Sequence, residues 1–248
     1  METGVKINNA IYDELGERWY TAEDDPIALL RAESRLRNPW VLAEMTARLG
    51  GRSLRVLDVG CGAGFLSNFL GQAGHRVVGV DLSLPSLAVA QAHDTTRAVR
   101  YLQADAYQLP VMDGTLDVVC AMDFLEHIDD PQRLVAEVSR TLAPGGLFFF
   151  HTFNRNLISG ALVIKGVERF VKNVPAHLHA YKYFIKPSEL SCYCQAAGMA
   201  VGSLRGMRPQ VFSRAFFKLL RTGTVAEDFR FVFTRSKLTG YVGVAIKT

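Results

Sequence analysis

Residues 56 to 67 read Val-Leu-Asp-Val-Gly-Cys-Gly-Ala-Gly-Phe-Leu-Ser. A short apolar run of the kind that forms a buried strand enters three glycines at alternate positions, Gly60, Gly62 and Gly64. Glycines at that spacing let backbone N–H groups approach a ligand with no Cβ in the way. A strand–loop–helix unit of this kind is where doubly wound α/β sheets bind nucleotide-like cofactors. The spacing departs from Gly-x-Gly-x-x-Gly, because the third glycine comes one residue early and Phe65 stands where glycine is wanted. That weakens a dinucleotide reading. Asp58, two residues before the first glycine, points the same way, since an anionic loop suits a cationic ligand better than a phosphate.

Apolar runs bounded by turn residues recur along the 248 residues, with helical patterns between them. Strands are expected at 55–59, 76–80, 99–103, 116–122, 146–152, 200–206, 229–233 and 240–247. Helices are expected at 38–49, 65–73, 83–93, 131–142, 158–172, 188–197 and 212–220. Asp130 and Pro131 make an N-cap and N1 pair, and Ala143-Pro144-Gly145-Gly146 turns that helix into the next strand. Strict β–α alternation over the first 150 residues predicts a parallel sheet covered by helices. The last two strands have no helix between them and are expected to form an antiparallel hairpin at one sheet edge.

The N-terminus shows no apolar leader core, and no apolar run approaches the roughly 18 residues that span a bilayer. Four cysteines in a chain of this length do not suggest a disulfide framework, and Cys192-x-Cys194 lacks the second pair that a zinc site wants. These features predict a cytoplasmic protein. Charge is unevenly spread. Residues 1–150 carry 13 basic and 20 acidic side chains, a balance of −7, whereas residues 151–225 carry 11 and 2, a balance of +9.

The Asp58-x-Gly60-x-Gly62-x-Gly64 loop resembles the first motif of class I S-adenosylmethionine-dependent methyltransferases. Two further acids fall where that family places them. Asp81 ends the second strand, where a carboxylate accepts from ribose hydroxyls, and Asp105 follows the third, beside the adenine. Taken alone, Asp81 could merely cap the helix that follows. The resemblance implies a Rossmann-like, doubly wound, seven-stranded and mostly parallel sheet. It also implies S-adenosylmethionine contacts from Asp58, Gly60, Cys61, Gly62, Gly64, Asp81, Leu82, Asp105, Ala106 and Met122.

After the fourth strand comes Asp123-Phe124-Leu125-Glu126-His127, at a strand end of the kind that carries active sites in open α/β sheets. In a helical turn, Asp123, Glu126 and His127 share one face. The bland alternative is a histidine that only lines the pocket. Downstream, His151-Thr152-Phe153-Asn154-Arg155-Asn156 and the stretch from His177 to Leu190, containing Tyr183-Phe184-Ile185-Lys186-Pro187-Ser188-Glu189-Leu190, resemble the ubiquinone-biosynthesis O-methyltransferases. Tyr12, Trp19 and Arg37-Asn38-Pro39 fit the same family's substrate side. That resemblance implies methyl transfer to a catechol-type hydroxyl on a ring with an isoprenoid tail. His127 is then the general base, Glu126 its catalytic partner, and Asp123, Glu126 and His127 a divalent-metal set, Mg²⁺ being the expected ion. Asp123 is one methylene shorter than the family's glutamate at this position. A phenol, with a pKa of about 10, needs such help at neutral pH.

The basic segment contains apolar residues at roughly helical spacing, Ile158, Leu162, Val167 and Phe170, beside Lys165, Arg169 and Lys172, and a similar stretch runs from Val211 to Arg221. Two readings stay open: a lid over the site, or a face for an anionic membrane surface. No nucleic-acid motif accompanies the charge. The expected organisation is one domain over 1–248. Within it, N-terminal helices occupy 1–50, the cofactor core 51–152, the helical lid and substrate region 153–222, and C-terminal strands 223–248. The expected partner is a small phenolic substrate, with or without a lipid tail. A methyltransferase of another small molecule, and a non-catalytic cofactor-binding subunit, are the alternatives.

Overall fold

The computed structural model describes residues 8–175 and 178–248. Residues 1–7, part of the segment read as lacking a leader core, and His177, quoted for the resemblance, lie outside the described residues.

A 3₁₀ turn at Asn9–Asp13, α1 (Arg18–Thr21) and α2 (Pro26–Leu49) precede β1 (Arg55–Val59). There follow α3 (Phe65–Gln72), β2 (Arg76–Asp81), α4 (Leu84–Ala92), β3 (Arg100–Gln103) and β4 (Leu116–Met122). A 3₁₀ turn at Leu125–His127 leads to α5 (Pro131–Thr141) and β5 (Leu142–Phe153). The later part holds α6 (Leu157–Ser159), a π-helical segment (Gly160–Gly166), α7 (Val167–Phe170), α8 (Pro187–Ala196) and β6 (Met199–Pro209). It ends with α9 (Arg214–Thr222), β7 (Phe231–Thr234) and β8 (Gly240–Lys247).

The strands form one sheet in the order β3-β2-β1-β4-β5-β8-β6-β7, parallel from β3 to β5 and antiparallel beyond. The sheet has eight strands rather than seven. The expected hairpin is also corrected: β7 pairs with β6, and β8 lies between β5 and β6. The sequence separation of β7 and β8 does not reveal this, because β8 is apolar enough to be buried in the sheet interior.

Strand alternation divides the core into two layers. Val119 and Ala121 of β4 and Phe148 and Phe150 of β5 pack with Leu134, Val135 and Val138 of α5 and Leu190 and Cys194 of α8. Val118, Cys120, Leu147 and Phe149 face the other way, onto Trp40, Val41 and Met45 of α2. Burial on both faces explains why these strands are continuously apolar. The four cysteines are free; Cys194 is buried packing, in line with the helix-packing reading, and Cys192 is exposed.

Helix α2 begins twelve residues earlier than expected. Asp25 caps it, accepting from the N–H groups of Ile27 and Ala28, with Pro26 at the first helical position. Its first half buries Glu33, Ser34, Arg37 and Asn38, so the apolar period that announces a helix is missing there. The expected helix over 158–172 is instead α6, the π-helical segment and α7 in succession. No helix of the described residues is long and apolar enough to cross a membrane.

One glycine in this sheet tests the packing. A Cβ on Gly206 would stand 1.7 Å from the backbone oxygen of Ser236, which cannot move like a side-chain end, whereas one on Gly202 would meet only ordinary contacts. Gly206→Ala is expected to destabilise by about 1–3 kcal/mol, and Gly202→Ala to change the thermal midpoint little, both read by thermal unfolding.

Candidate active site

The carboxyl ends of β1, β2 and β4 open into one cavity of about 820 Å³. Its first half is lined by Asp58, Gly60, Cys61, Gly62, Asp81, Leu82, Asp105, Ala106 and Met122. The glycine loop holds φ values of +67° at Gly60 and +49° at Gly62, a region L side chains rarely adopt. A Cβ on Gly60 would lie 2.1 Å from the Phe124 ring, and one on Gly62 would lie 2.9 Å from Trp19. Gly64 does not line the cavity. It caps α3 in the left-handed region, and a Cβ there would fall 2.4 Å from the Tyr101 hydroxyl. Its contribution is therefore to the turn rather than to the ligand surface.

The three acids are held differently. Asp58 is buried and accepts from the Ser67 hydroxyl at 2.6 Å; burial pushes its carboxyl up to about 7. Asp81 accepts from Gly62 N and from Ser83 N, both at 2.9 Å, so it joins the glycine loop to the start of α4. It also lines the cavity, while the cap of α4 itself is Ser83, whose hydroxyl accepts from Ser86 N. Asp105 is exposed and accepts from Tyr107 N at 2.8 Å. Among the described residues, no Lys or Arg lines the cavity at this loop, and the Arg side chains that line it elsewhere are Arg37 and Arg208. A donor set of carboxylates and backbone N–H groups fits a ligand bearing an ammonium, a sulfonium and a ribose, and fits a pyrophosphate poorly.

Beyond Met122 the floor is built by Asp123, Glu126, His127 and His151. Asp123 adopts φ +55°, and its carboxylate pairs with Arg37 of α2 and with Nδ1 of His151 on β5. Arg37 Nη1 also stands 2.9 Å from His151 Nδ1 and 3.6 Å from Glu33 Oε2. The expected metal set is not gathered. Among the described residues, the ligand atoms that come within 4.8 Å of one another belong to Glu33, Asp123 and His151; Glu126 and His127 are outside that group. The reason is local: 125–127 forms a 3₁₀ turn, and both Asp123 oxygens are engaged elsewhere. Asp123, Glu126 and His127 therefore do not fit a shared divalent ion.

Electrostatics set the protonation. Burial works against charge on Asp123, but Arg37 and His151 outweigh it and hold the carboxyl below its usual range. Burial and the Asp123 charge push Glu126 up to about 8, and Glu33 well above the usual range. Both Glu126 oxygens are buried without a hydrogen-bond partner. Burial pushes His127 down to about 4 and His179, whose ring lies 5.8 Å from it, down to about 3. His127 Nδ1 lies 3.2 Å from Asn9 Oδ1, while Asn9 Nδ2 donates to the His127 carbonyl. Asn9 thus fixes the Nδ1–H tautomer and leaves Nε2 bare. Tyr12 stacks on Trp19 and meets His127 edge-on, closing the cavity from above.

A methyltransferase-domain family model matches residues 57–150. The ubiquinone biosynthesis O-methyltransferase of Aromatoleum aromaticum is 39% identical over 201 residues, covering 79% of this chain and 83% of that protein. That of Leptothrix cholodnii is 37% identical over 213 residues, covering 84% and 88%. The chain belongs to the ubiquinone biosynthesis O-methyltransferase family. It is an S-adenosylmethionine-dependent enzyme that transfers a methyl group to oxygen on a small molecule. The fold recurs in magnesium protoporphyrin IX methyltransferase from Synechocystis with bound S-adenosylhomocysteine, at TM-score 0.67 and 18% identity over 97% of this chain and 96% of that one. It also recurs in a possible histamine N-methyltransferase from Thermotoga maritima, at TM-score 0.62 and 18% identity over 96% and 99%.

Residues to which the sequence gave no role also line the cavity. Asn9 and Glu33 carried no local signal, and Phe124, His151 and His179 stood in quoted stretches without a role. Two measurements test the geometry. Gly60→Ala, with both a disfavoured φ and the Phe124 ring in the way, is expected to weaken S-adenosylmethionine binding by at least 10-fold in calorimetry. A raised carboxyl pKa in the folded state gives stability that is present below the unfolded value of about 4 and lost as pH rises through the folded value. With Glu126 at about 8, the thermal midpoint is expected to fall between pH 5 and 9, and Glu126→Gln to flatten that fall.

Proposed function

We propose that the methyl acceptor is a phenolic hydroxyl on a ring bearing a polyprenyl-type tail, a precursor of a quinone. The observation that supports this best is the apolar lining of the cavity. Besides Glu126 and His127 it is lined by Leu162, Val167, Phe170, Phe216, Leu219 and Phe231. A free polar catechol needs no such lining, while a long hydrocarbon chain buries against it at about 25 cal/mol per Å². The relatives' role in ubiquinone biosynthesis is in keeping with it.

The mechanism follows from the floor. S-Adenosylmethionine, when bound, supplies an electrophilic methyl on a sulfonium. Asp58, Asp81 and Asp105 with the glycine loop hold and orient it, Leu82, Ala106 and Met122 completing the walls. His127 is neutral at neutral pH and accepts the phenolic proton at Nε2, its tautomer set by Asn9. Glu126 is protonated at neutral pH, so it adds no negative charge beside the forming phenolate and can donate a hydrogen bond to a neighbouring ring oxygen. Tyr12 and Trp19 exclude water, and the cavity holds oxygen, methyl and sulfur in line.

The lid extends the proposal to a membrane surface. Leu157, Ile158 and Leu162 on one side and Phe212 and Phe217 on the other are exposed, with Lys165, Lys172, Arg214 and Lys218 nearby. The lid and α9 pack together through Val171, Ala215 and Leu219, so the two stretches make one face. Such a face suits collection of a lipid-tailed substrate from an anionic leaflet.

His127→Ala is expected to lower kcat by roughly 10²–10⁴-fold while S-adenosylmethionine affinity changes less than about 3-fold; lost cofactor binding, or full turnover, would count against the assigned role. Activity is expected to fall as pH rises through about 8, and Glu126→Gln to remove that limb. Phe212→Ser/Phe217→Ser is expected to reduce co-sedimentation with anionic liposomes and to leave turnover of a tail-less catechol unchanged.

A further inference from the structure

The group of ligand-bearing side chains that does gather in this site already holds a cation, and the cation belongs to the chain. Glu33, Asp123 and His151 bring a set of two oxygens and one nitrogen within 4.8 Å of one another. The Arg37 guanidinium reaches all three through one nitrogen: it pairs with Asp123 Oδ2, stands 2.9 Å from His151 Nδ1, and lies 3.6 Å from Glu33 Oε2. Its side chain is 4% exposed, so the charge is not shared with water. Arg37 is anchored from below by α2, whose Asn38 donates to the Phe65 carbonyl at 2.8 Å, and α2 packs against β4 and β5 through Trp40, Val41 and Met45.

Asp123 shows the same allocation from the anionic side. Both of its oxygens are taken, Oδ1 by His151 and Oδ2 by Arg37, and its φ of +55° turns the carboxylate toward α2. A divalent ion would need to displace the guanidinium and bring Glu126 and His127 into a group from which they now stand apart. Arg37 also lines the cavity beside Glu126, His127 and His151.

We propose that Arg37 is a built-in replacement for a divalent ion: it fills the Glu33–Asp123–His151 cluster and keeps metal out, so methyl transfer by this chain needs no added metal. Arg37 is a positioning residue in this role. The proposal rests on the phenolic-acceptor reading only for its catalytic half; the metal-binding half is measurable without any acceptor.

The test uses the full chain dialysed against EDTA and titrated with Mn²⁺, followed by the paramagnetic resonance signal of the free ion. The wild-type protein is expected to leave that signal undiminished. Arg37→Met is expected to bind one Mn²⁺ per chain, and Arg37→Met/Asp123→Asn to lose it. Stoichiometric Mn²⁺ binding by the wild-type protein that Asp123→Asn removes would overturn the proposal, and so would a folded Arg37→Met protein that binds none. In turnover assays, EDTA is expected to change wild-type kcat/KM less than 2-fold, whereas Arg37→Met loses on the order of 10²-fold and recovers part of it with Mn²⁺. Arg37→Lys, which keeps the charge, is expected to stay insensitive to both EDTA and Mn²⁺, and serves where Arg37→Met fails to fold. Wild-type activity lost in EDTA and restored by Mg²⁺ would also overturn it. Failure of every phenolic acceptor to react would count against the acceptor reading and leave the Mn²⁺ result standing.

Discussion

The buried contact of Asp123 with Arg37 and His151 is the constraint on which the acceptor half of the molecule depends. It joins the end of β4, already paired with β5 in the sheet, to α2, which otherwise meets these strands through apolar packing. Breaking such a pair by removing one partner leaves an uncompensated buried charge, at a cost of about 3–5 kcal/mol. The pair also dictates neighbouring chemistry. Burial, together with the charge kept on Asp123, makes charge on Glu126 and Glu33 unfavourable, and both are pushed toward the protonated form.

The cofactor half follows a different logic. There the backbone does most of the positioning, and the side chains need only be small. Gly60 and Gly62 admit Phe124 and Trp19 against the loop, and Asp81 fastens that loop to α4 by accepting from Gly62 and Ser83. The aromatic residues that come down on the loop arrive from the N-terminal turn and from the strand-four turn. Cofactor and acceptor ends are therefore closed by the same pieces of chain.

The cofactor half was largely legible in the sequence because it is local. The strands at 55–59, 116–122 and 240–247 appear at the expected bounds, and Asp58 lies within β1, Asp81 ends β2 and Asp105 follows β3. The acceptor half was not, because its members lie at 33, 37, 123 and 151 and no spacing connects them. Buried polar residues hid the first half of α2 for the same reason that they make the site: Glu33 and Arg37 face inward where a helix pattern wants apolar side chains. The metal set came from the resemblance to a Glu-x-x-Glu-His pattern, and spacing alone did not show that a left-handed Asp123 followed by a 3₁₀ turn would leave Glu126 and His127 outside the group that gathers around Asp123 among the described residues.

The place of β8 in the sheet has a consequence for how the chain comes to be folded. β6 and β7 have no direct neighbour in the parallel half; they join it only through β8, which lies between β5 and β6. The parallel half, β1 to β5, is complete by Phe153, its widest strand pairing being β1 with β4, as in Val56 with Val118, whereas the other strands wait for a pairing between residues about 95 apart, as Phe149 and Val244 are. During synthesis the cofactor cradle can therefore form while the cavity wall carried by β6, β7 and α9 is still undocked. Strand β8 acts as a keystone: until it pairs with β5, the cavity wall carried by β6, β7 and α9 has no sheet edge to dock on.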